Sequence, residues 1–348
     1  MSEETTKARI AFIGCGSHCR AALLPSMTQA TNAELVAVCD LQTGLAQTSA
    51  REYGARRWYT DYRGMFDEEE LDGVCVVGSP QMHVEIGLEV LAAGLPVFVE
   101  KPSAISVAEA ERFARAADDA GLWGMVAFMK RHSVAYRMAK EIVARPEFGA
   151  IEAVSARFTQ GPYPSLWGIE SPALTFLTGQ VVHIFDLVQS FCGPAAEVFA
   201  RYQEVTANTF AFAVNVRFAS GAVASLDLNS IDASQPWRDF EERLILSGHG
   251  AHLTVDNMLG VTYLPPDDWV SAPDLNIGRL LKVWQPTGPA ARKAEELIGY
   301  RSELEHFAAC SLANRPASAS LWDGVAALRM TEAVWESVHS GRNVVIEG

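Results

Sequence analysis

Short apolar runs alternate with segments of helical periodicity along the first 130 residues. The apolar runs show little polar alternation, which is typical of parallel strands buried on both faces. Each run ends in turn residues, and the segment after it repeats its apolar positions every three or four residues. The regular alternation predicts a doubly wound α/β sheet, with strands at residues 10–13, 34–40, 71–77, 96–100 and 124–128.

The pattern changes after residue 130. Residues 131–144 are helical in character, and 151–158 and 209–218 alternate apolar and polar positions, as a strand with one covered face does. Two further runs flank Gly248-His249-Gly250 and predict a hairpin. Two helices follow, Tyr300–Leu312 and Asp323–Ser340, the second with Asp323 as its expected N-cap. We therefore expect two domains, 1–130 and 131–348, the second rich in sheet.

Composition and charge limit the classes of function. The 348 residues carry a formal net charge of −14, which disfavours nucleic acid and anionic membrane surfaces as partners. No apolar run approaches the roughly 20 residues of a membrane helix, and the polar start, Met1–Lys7, does not look like a signal peptide. The six cysteines form no CxxC pair, and no His/Cys/Asp cluster has metal-ligand spacing. We expect a cytoplasmic protein with reduced thiols and no metal.

A glycine pair follows the first strand, in the order strand, tight turn, helix. Glycine lets the backbone approach a ligand closely, and the free N–H groups at a helix N-terminus attract a pyrophosphate. The motif is Gly14-x-Gly16-x-x-Cys19, with cysteine where the full fingerprint has glycine or alanine. Cysteine is small enough to keep the helix close to the strand, so the turn predicts a dinucleotide site.

Asp40 ends the second predicted strand, 24 positions after Gly16. An acid at about this separation accepts hydrogen bonds from the adenosine ribose and repels a 2′-phosphate. Residues 41–43 contain no Arg or Lys that could bind such a phosphate. The sequence therefore favours NAD, with NADP as the alternative.

Several motifs together resemble the glucose–fructose oxidoreductase/inositol dehydrogenase/rhizopine catabolism (Gfo/Idh/MocA) family. They are Gly14-Cys-Gly16, Leu24-Pro25, Cys39-Asp40, Ser79-Pro80-x-x-His83, Gly94, Glu100-Lys101-Pro102, Gly221, Gly248-x-Gly250 and Gly341-Arg-Asn-Val-Val-Ile346. Glu-Lys-Pro is the most specific of these, and the resemblance covers nearly the whole chain. It implies an N-terminal Rossmann domain and a C-terminal α+β domain with a large, mostly antiparallel open sheet. It also implies a homodimer or homotetramer and an NAD(P)-dependent dehydrogenase or reductase acting on sugars, cyclitols and related polyols.

The resemblance also implies site residues. Lys101 would hold the reacting oxygen and His183 would move its proton, a role that suits a pKa near neutrality. The cofactor would be bound by Gly14, Cys15, Gly16, Ser17, His18, Asp40, Ser79, Pro80, His83, Glu100 and Lys101. At His18 we expect the backbone N–H to matter more than the ring for cofactor binding. His83 either lies near the cofactor or only caps its helix. Glu100 is expected to be structural.

Substrate contacts are expected from Lys101, His183, Arg131 and Trp167. Arg131 either reaches the pocket or closes a salt bridge. Trp167 lies in the aromatic loop 160–171, which either stacks on a sugar face or is fixed by its own aromatic side chains. The nearby Asp186 is not expected to be catalytic.

The chain departs from the family at Gly179, four residues before His183, where many members have an aspartate. Three functions stay open. The first is a secondary-alcohol dehydrogenase. The second is an enzyme that uses bound NAD as a transient oxidant, such as an epimerase or a glycosidase working through a keto intermediate. The third is a non-catalytic NAD sensor.

Overall fold

The computed structural model describes residues 6–232, 240–266, 269–272, 275–279, 281–287 and 297–347. The chain forms two compact units. The first comprises Met1–Met129 and Gly299–Leu328, and the second comprises Lys130–Ile298 and Arg329–Gly348. Residues 1–5, which hold most of the polar N-terminal stretch, lie outside the described residues.

The first unit contains a six-stranded parallel sheet in the order β3-β2-β1-β4-β5-β6. Its strands are β1 Ala8–Ile13, β2 Ala33–Cys39, β3 Arg57–Tyr59, β4 Gly73–Val76, β5 Val97–Val99 and β6 Gly124–Val126. This order reverses direction between β1 and β4, which is where doubly wound sheets bind ligands at their carboxyl ends. The predicted Rossmann sheet is confirmed.

Helices connect these strands: α1 Leu24–Gln29, α2 Thr43–Tyr53, α3 Tyr62–Glu68, α4 Pro80–Ala92 and α5 Val107–Asp119. Helical turns already begin at Ser17, and the segment Cys19–Leu23 is a π-helix. The Leu24 N–H donates to the Cys19 carbonyl, five residues back, as in a π-helix. The next residue, Pro25, has no N–H and so makes no helical hydrogen bond as a donor.

The second unit contains a nine-stranded sheet in the order β16-β13-β12-β11-β7-β10-β9-β8-β17. The strands are β7 Ala153–Gln160, β8 Ala195–Thr206, β9 Thr209–Phe218, β10 Val223–Asn229, β11 Phe240–Gly248, β12 Ala251–Asp256, β13 Gly260–Leu264, β16 Lys282–Trp284 and β17 Val344–Val345, with a separate pair β14 Trp269–Ala272 and β15 Leu275–Arg279. Among the described strand pairs of the nine-stranded sheet, β7 and β10 alone are parallel. The predicted open, mostly antiparallel sheet and the β11–β12 hairpin are confirmed.

Three α-helices of the second unit come before β8 in the chain: α6 Val134–Val143, α7 Pro172–Phe176 and α8 Val182–Cys192. A π-turn, Leu177–Val181, joins α7 to α8, so residues 172–192 form one interrupted helix. The inward side chains of β9 are buried, and Phe210 packs with its ring centre 5.4 Å from that of Phe176. The interrupted helix therefore covers the inner face of the sheet.

In the described residues after β16, the helices are α9 Tyr300–Leu312 and α10 Leu321–Ser340. Helix α9 belongs to the first unit, because Phe307 packs 5.5 Å from the Trp123 ring and 5.7 Å from the Phe98 ring. The expected division at residue 130 is therefore incomplete. The first stretch ends at Met129, but 299–328, expected in the second domain, returns to the first unit because the apolar face of α9 completes its core.

The expected N-cap of α10, Asp323, is wrong by one turn. The Ser320 hydroxyl accepts from the Asp323 N–H at 3.2 Å, and the Asp323 carboxylate accepts from the Ser320 N–H at 2.7 Å. This is a capping box, in which Ser320 is the cap. Among the described helices, none has the length and apolarity to cross a bilayer.

Candidate active site

The glycine turn of the first unit has the backbone geometry that a dinucleotide needs. Gly14 has φ +94°, and a Cβ there would lie 2.0 Å from the Val77 carbonyl oxygen at the end of β4. Gly16 faces open space, with nothing within 4 Å of an added Cβ. The first helical hydrogen bond runs from the Arg20 N–H to the Gly16 carbonyl, so the N–H groups of residues 17–19 precede it. The turn and helix start fit an anionic pyrophosphate.

Asp40 lies beside this turn. Its Oδ2 accepts from the Cys15 N–H and its Oδ1 from the Gln42 N–H, both at 2.8 Å. A carboxylate oxygen has two lone pairs, so each oxygen can accept a further bond from a ribose hydroxyl. The carboxylate is thus oriented by the backbone at the end of β2.

Ser79, Pro80 and His83 form the start of α4. The Ser79 hydroxyl caps the helix by accepting from the Met82 N–H at 3.3 Å, and Pro80 occupies the first turn, where a missing N–H has no cost. His83 is fully buried. Its Nδ1 lies 2.9 Å from the Pro102 carbonyl oxygen, and its Nε2 lies 3.2 Å from the Gly78 nitrogen.

These contacts define the tautomer of His83. The Gly78 N–H donates to Nε2, so the proton of the neutral ring lies on Nδ1 and is donated to the Pro102 carbonyl. Burial lowers the pKa of His83 to about 4. The ring therefore connects the loop after β4 to the loop after β5, and it does more than cap its helix.

Glu100 and Lys101 follow β5. The buried Glu100 carboxylate contacts His18 Nε2 at 3.0 Å and accepts from the Lys101 backbone N–H at 3.0 Å. Burial alone would raise the pKa of Glu100, but the hydrogen bond from His18 and the nearby charges lower it. The same hydrogen bond raises the pKa of His18. The first unit thus brings together His18, Glu100 and Lys101, and the ring of His18 contributes more than the sequence indicated.

Lys101 has the electrostatics of a group that can hold a reacting oxygen. Burial lowers the pKa of its ammonium, and the Glu100 carboxylate opposes that change. An ammonium is a hydrogen-bond donor, and it can stabilise negative charge that develops on an oxygen beside it. Its backbone is held by the carboxylate of the preceding residue.

A further carboxyl group, Glu303 on α9, was missed by the sequence analysis. It is fully buried, and burial followed by the charge of Glu100 raises its pKa well above the ordinary value. Tyr300, one turn earlier, places its ring 5.9 Å from that of His18. Position 303 lies on the same helical face as Tyr300 and Phe307. An acid within an otherwise apolar helical face is the sequence feature that could have indicated a buried carboxyl group.

In the second unit, His183 and Asp186 lie on α8 and both are buried. Arg131 binds Asp186 with two parallel hydrogen bonds, from Nε at 2.8 Å and from Nη2 at 2.5 Å. Of the two expectations for Arg131, the salt bridge is observed, and a contact with substrate stays a prediction. The neighbouring Lys130 forms a buried ion pair with Glu242, whose other oxygen accepts from the Tyr136 hydroxyl at 2.6 Å.

Gly179 lies in the π-turn and is covered by the aromatic loop. An added Cβ would meet the Tyr163 hydroxyl at 2.8 Å and the Trp167 ring at 2.9 Å. Gln180 Nε2 donates to the Tyr163 hydroxyl at 3.4 Å. The aromatic side chains thus occupy the space in which a side chain at position 179 would begin.

The cysteines are not nucleophiles here. All six are buried free thiols, and burial raises the pKa of Cys15 to about 11 and that of Cys39 to about 12. In the part of the chain that the structure describes, no group of three or more His, Cys, Asp or Glu side chains could hold a metal ion.

Two family profiles match the sequence. An oxidoreductase family with an NAD-binding Rossmann fold matches residues 8–128, and the C-terminal alpha/beta domain of that family matches residues 140–346. Inositol 2-dehydrogenase 2 from Saccharopolyspora erythraea is 25% identical over 345 residues, covering 97% of this chain and 95% of that protein.

Solved structures share the fold. A dehydrogenase from Chromobacterium violaceum superposes with a TM-score of 0.86 at 26% identity, over 97% of this chain and 96% of that one. Levoglucosan dehydrogenase in complex with NADH superposes with a TM-score of 0.81 at 20% identity, over 98% of this chain and 100% of that one, and this likeness concerns the fold alone.

Proposed function

The chain belongs to the Gfo/Idh/MocA oxidoreductase family, and on that premise we propose that it interconverts a secondary alcohol and a ketone on a sugar or cyclitol, with NAD as the hydride carrier. The full-length relative named as an inositol 2-dehydrogenase supports a cyclitol substrate. The observation that carries the proposal is Lys101, which follows β5 with its backbone held by Glu100, while Glu100 is bonded to His18 of the glycine turn.

Bound NAD supplies the ring carbon that accepts or returns hydride, and the protein does the rest. Lys101 donates a hydrogen bond to the substrate oxygen and stabilises negative charge that develops there. His183 accepts the hydroxyl proton during oxidation and returns it during reduction. Burial lowers the pKa of Lys101, which brings its proton exchange closer to neutral pH.

We propose NAD over NADP because of Asp40. Its carboxylate is held toward the glycine turn by the N–H groups of Cys15 and Gln42. A 2′-phosphate on the ribose would meet this negative charge, whereas the ribose hydroxyls of NAD can donate to it.

We also propose that Trp167 and Arg131 belong to the substrate side of the site. Trp167 offers an indole face for the apolar face of a sugar ring. Arg131 acts mainly by fixing Asp186 three residues after His183, since both of its observed hydrogen bonds run to that carboxylate.

A homodimer or homotetramer in the cytoplasm completes the proposal. The outer face of the nine-stranded sheet carries small and apolar exposed residues, among them Ala153 and Ser155 on β7, Ala213 on β9, and Val223 and Ser225 on β10. This exposed sheet face, which also carries ion pairs such as Arg157–Asp227, suits pairing with a second copy of the chain. Light scattering coupled to gel filtration measures the assembly directly, and a monomeric mass would refute this part.

The test is turnover by the purified protein. NADH absorbance is followed with myo-inositol, D-glucose and other polyols, and NAD affinity is measured separately by tryptophan fluorescence. We expect Lys101→Ala and His183→Ala to lower kcat by about 100-fold or more with little change in NAD affinity. The exposed Lys282→Ala and His249→Ala serve as matched controls.

Other outcomes separate the alternatives. Product formed without net NADH would indicate an epimerase or a glycosidase that uses NAD as a transient oxidant. This alternative is tested because position 179 holds glycine where many dehydrogenases of the family have an aspartate. NAD binding without turnover of any polyol would indicate a sensor.

A further inference from the structure

The aromatic loop is held in one conformation by a tight turn. Leu166–Ile169 closes with a hydrogen bond from the Ile169 N–H to the Leu166 carbonyl at 3.0 Å. Its two central residues, Trp167 and Gly168, have φ of +57° and +80°, as a type I′ turn requires. Tryptophan rarely adopts this conformation, so the indole must gain contacts elsewhere that offset the strain.

Those contacts are made at Gly179. The Trp167 ring and the Tyr163 hydroxyl both approach the α-carbon of this glycine so closely that no side chain fits between them. Tyr163 is itself buried, with its N–H donating to the Asn208 carbonyl at 2.9 Å and its ring centre 5.6 Å from that of Phe176. The loop is therefore seated on the helix at one small residue.

This seat lies one helical turn before His183. Gly179 lies in the π-turn Leu177–Val181 and His183 in α8, and four residues complete close to one turn of such a helix, so what covers Gly179 borders the surface next to His183. Burial raises the pKa of Tyr163, opposed by its bond to Gln180, so its phenol is neutral at physiological pH. The covering groups are an indole and a phenol, neither of which is charged.

We propose that Tyr163, Trp167 and Gly179 form an aromatic clamp that determines substrate specificity, by giving the surface beside His183 an uncharged aromatic wall for the apolar face of a neutral polyol ring. This inference rests on the proposed function for its substrate. The clamp sets KM through the fixed position of the indole.

Gly179→Ala tests the clamp, because its methyl group would lie 2.8 Å from the Tyr163 hydroxyl and 2.9 Å from the Trp167 ring and the loop would have to move. Gly161→Ala is the matched control, since Gly161 belongs to the same loop and has nothing within 4 Å of an added Cβ. Hydrogen exchange of residues 161–171 reports the seating of the loop, and steady-state kinetics report its use. The kinetic probe is whichever of myo-inositol, D-glucose and levoglucosan the wild-type protein turns over fastest.

We expect Gly179→Ala to raise exchange in 161–171 and to raise KM about tenfold or more, with NAD affinity within twofold of wild type. Gly161→Ala should match wild type in all three. The double variant Gly179→Ala/Tyr163→Phe removes the nearest clashing atom, so its KM should return part of the way to the wild-type value. A general loss of folding would not allow this recovery.

The outcomes distinguish the two proposals. If the wild-type protein oxidises no polyol, the proposed function fails and the role of the clamp in specificity fails with it, even where raised exchange in Gly179→Ala supports the packing of the loop on the helix. If the wild-type protein is active and Gly179→Ala keeps wild-type exchange and KM, the clamp is refuted alone. Equal effects of Gly179→Ala and Gly161→Ala on exchange would also refute it.

Discussion

Replacing His83 by glutamine tests the buried, neutral imidazole through the pH dependence of stability. In the folded protein the ring accepts from the Gly78 N–H and donates to the Pro102 carbonyl, and burial lowers its pKa to about 4. In the unfolded chain a histidine has a pKa of about 6.5. As the pH falls through this interval, the unfolded chain takes up a proton that the folded protein does not, so stability is lost toward acid pH.

The size of the effect follows from these two pKa values. Integrating the proton uptake between pH 8 and pH 5 gives a loss of about 2 kcal/mol from His83 in the wild-type protein. His83→Gln lacks the imidazole and does not suffer this loss. The stability advantage of wild type over the variant should therefore shrink by about 2 kcal/mol between pH 8 and pH 5.

Urea unfolding of both proteins at the two pH values measures this difference. Other titrating groups contribute equally to both and cancel in the comparison. His249→Gln, at an exposed position of the β11–β12 hairpin, controls for the substitution itself. A gap between wild type and His83→Gln that stays constant within about 0.5 kcal/mol would refute the neutral, buried ring.

Three further changes test other parts of the structure. Gly14→Ala should weaken NAD binding at least tenfold, because its Cβ would overlap the Val77 carbonyl, whereas Gly44→Ala, in open space, should bind normally in the same titration. Asp186→Ala should lower the free energy of unfolding by about 3–5 kcal/mol, since it removes the carboxylate of a buried ion pair, and a loss below 1 kcal/mol in urea unfolding would contradict this. Asp40→Ala should weaken NAD about tenfold and raise the affinity for NADP relative to NAD, and an unchanged ratio in paired titrations would argue against the ribose contact.

Features set by local pattern were predictable from the sequence. Alternating strands and helices place Asp40, Ser79 and Lys101 at or just after strand ends, and the structure agrees. The capping box of α10 is also visible in the sequence, because Ser320 stands three residues before Asp323, and the prediction of Asp323 as the cap places the helix start one turn too late.

Features set by long-range packing were not predictable. The apolar face of α9 was visible in the sequence. The packing of Phe307 against Trp123, which lies 184 positions earlier (307 − 123), was not. The bond between His18 and Glu100 joins two loops that only the folded sheet brings together. In the same way, the local pattern around Gly179 does not predict that Tyr163 and Trp167 occupy the space in which a side chain at position 179 would lie.

The return of 299–328 to the first unit has a consequence for how the protein is made. Chains fold as they leave the ribosome, and N-terminal domains usually fold first. Here the core around Phe98 and Trp123 includes Leu304 and Phe307, so it is complete only when about nine-tenths of the chain has been synthesised. The strands of the NAD-binding unit therefore stay with part of their core exposed until α9 emerges, which happens only after the strands of the nine-stranded sheet other than β17.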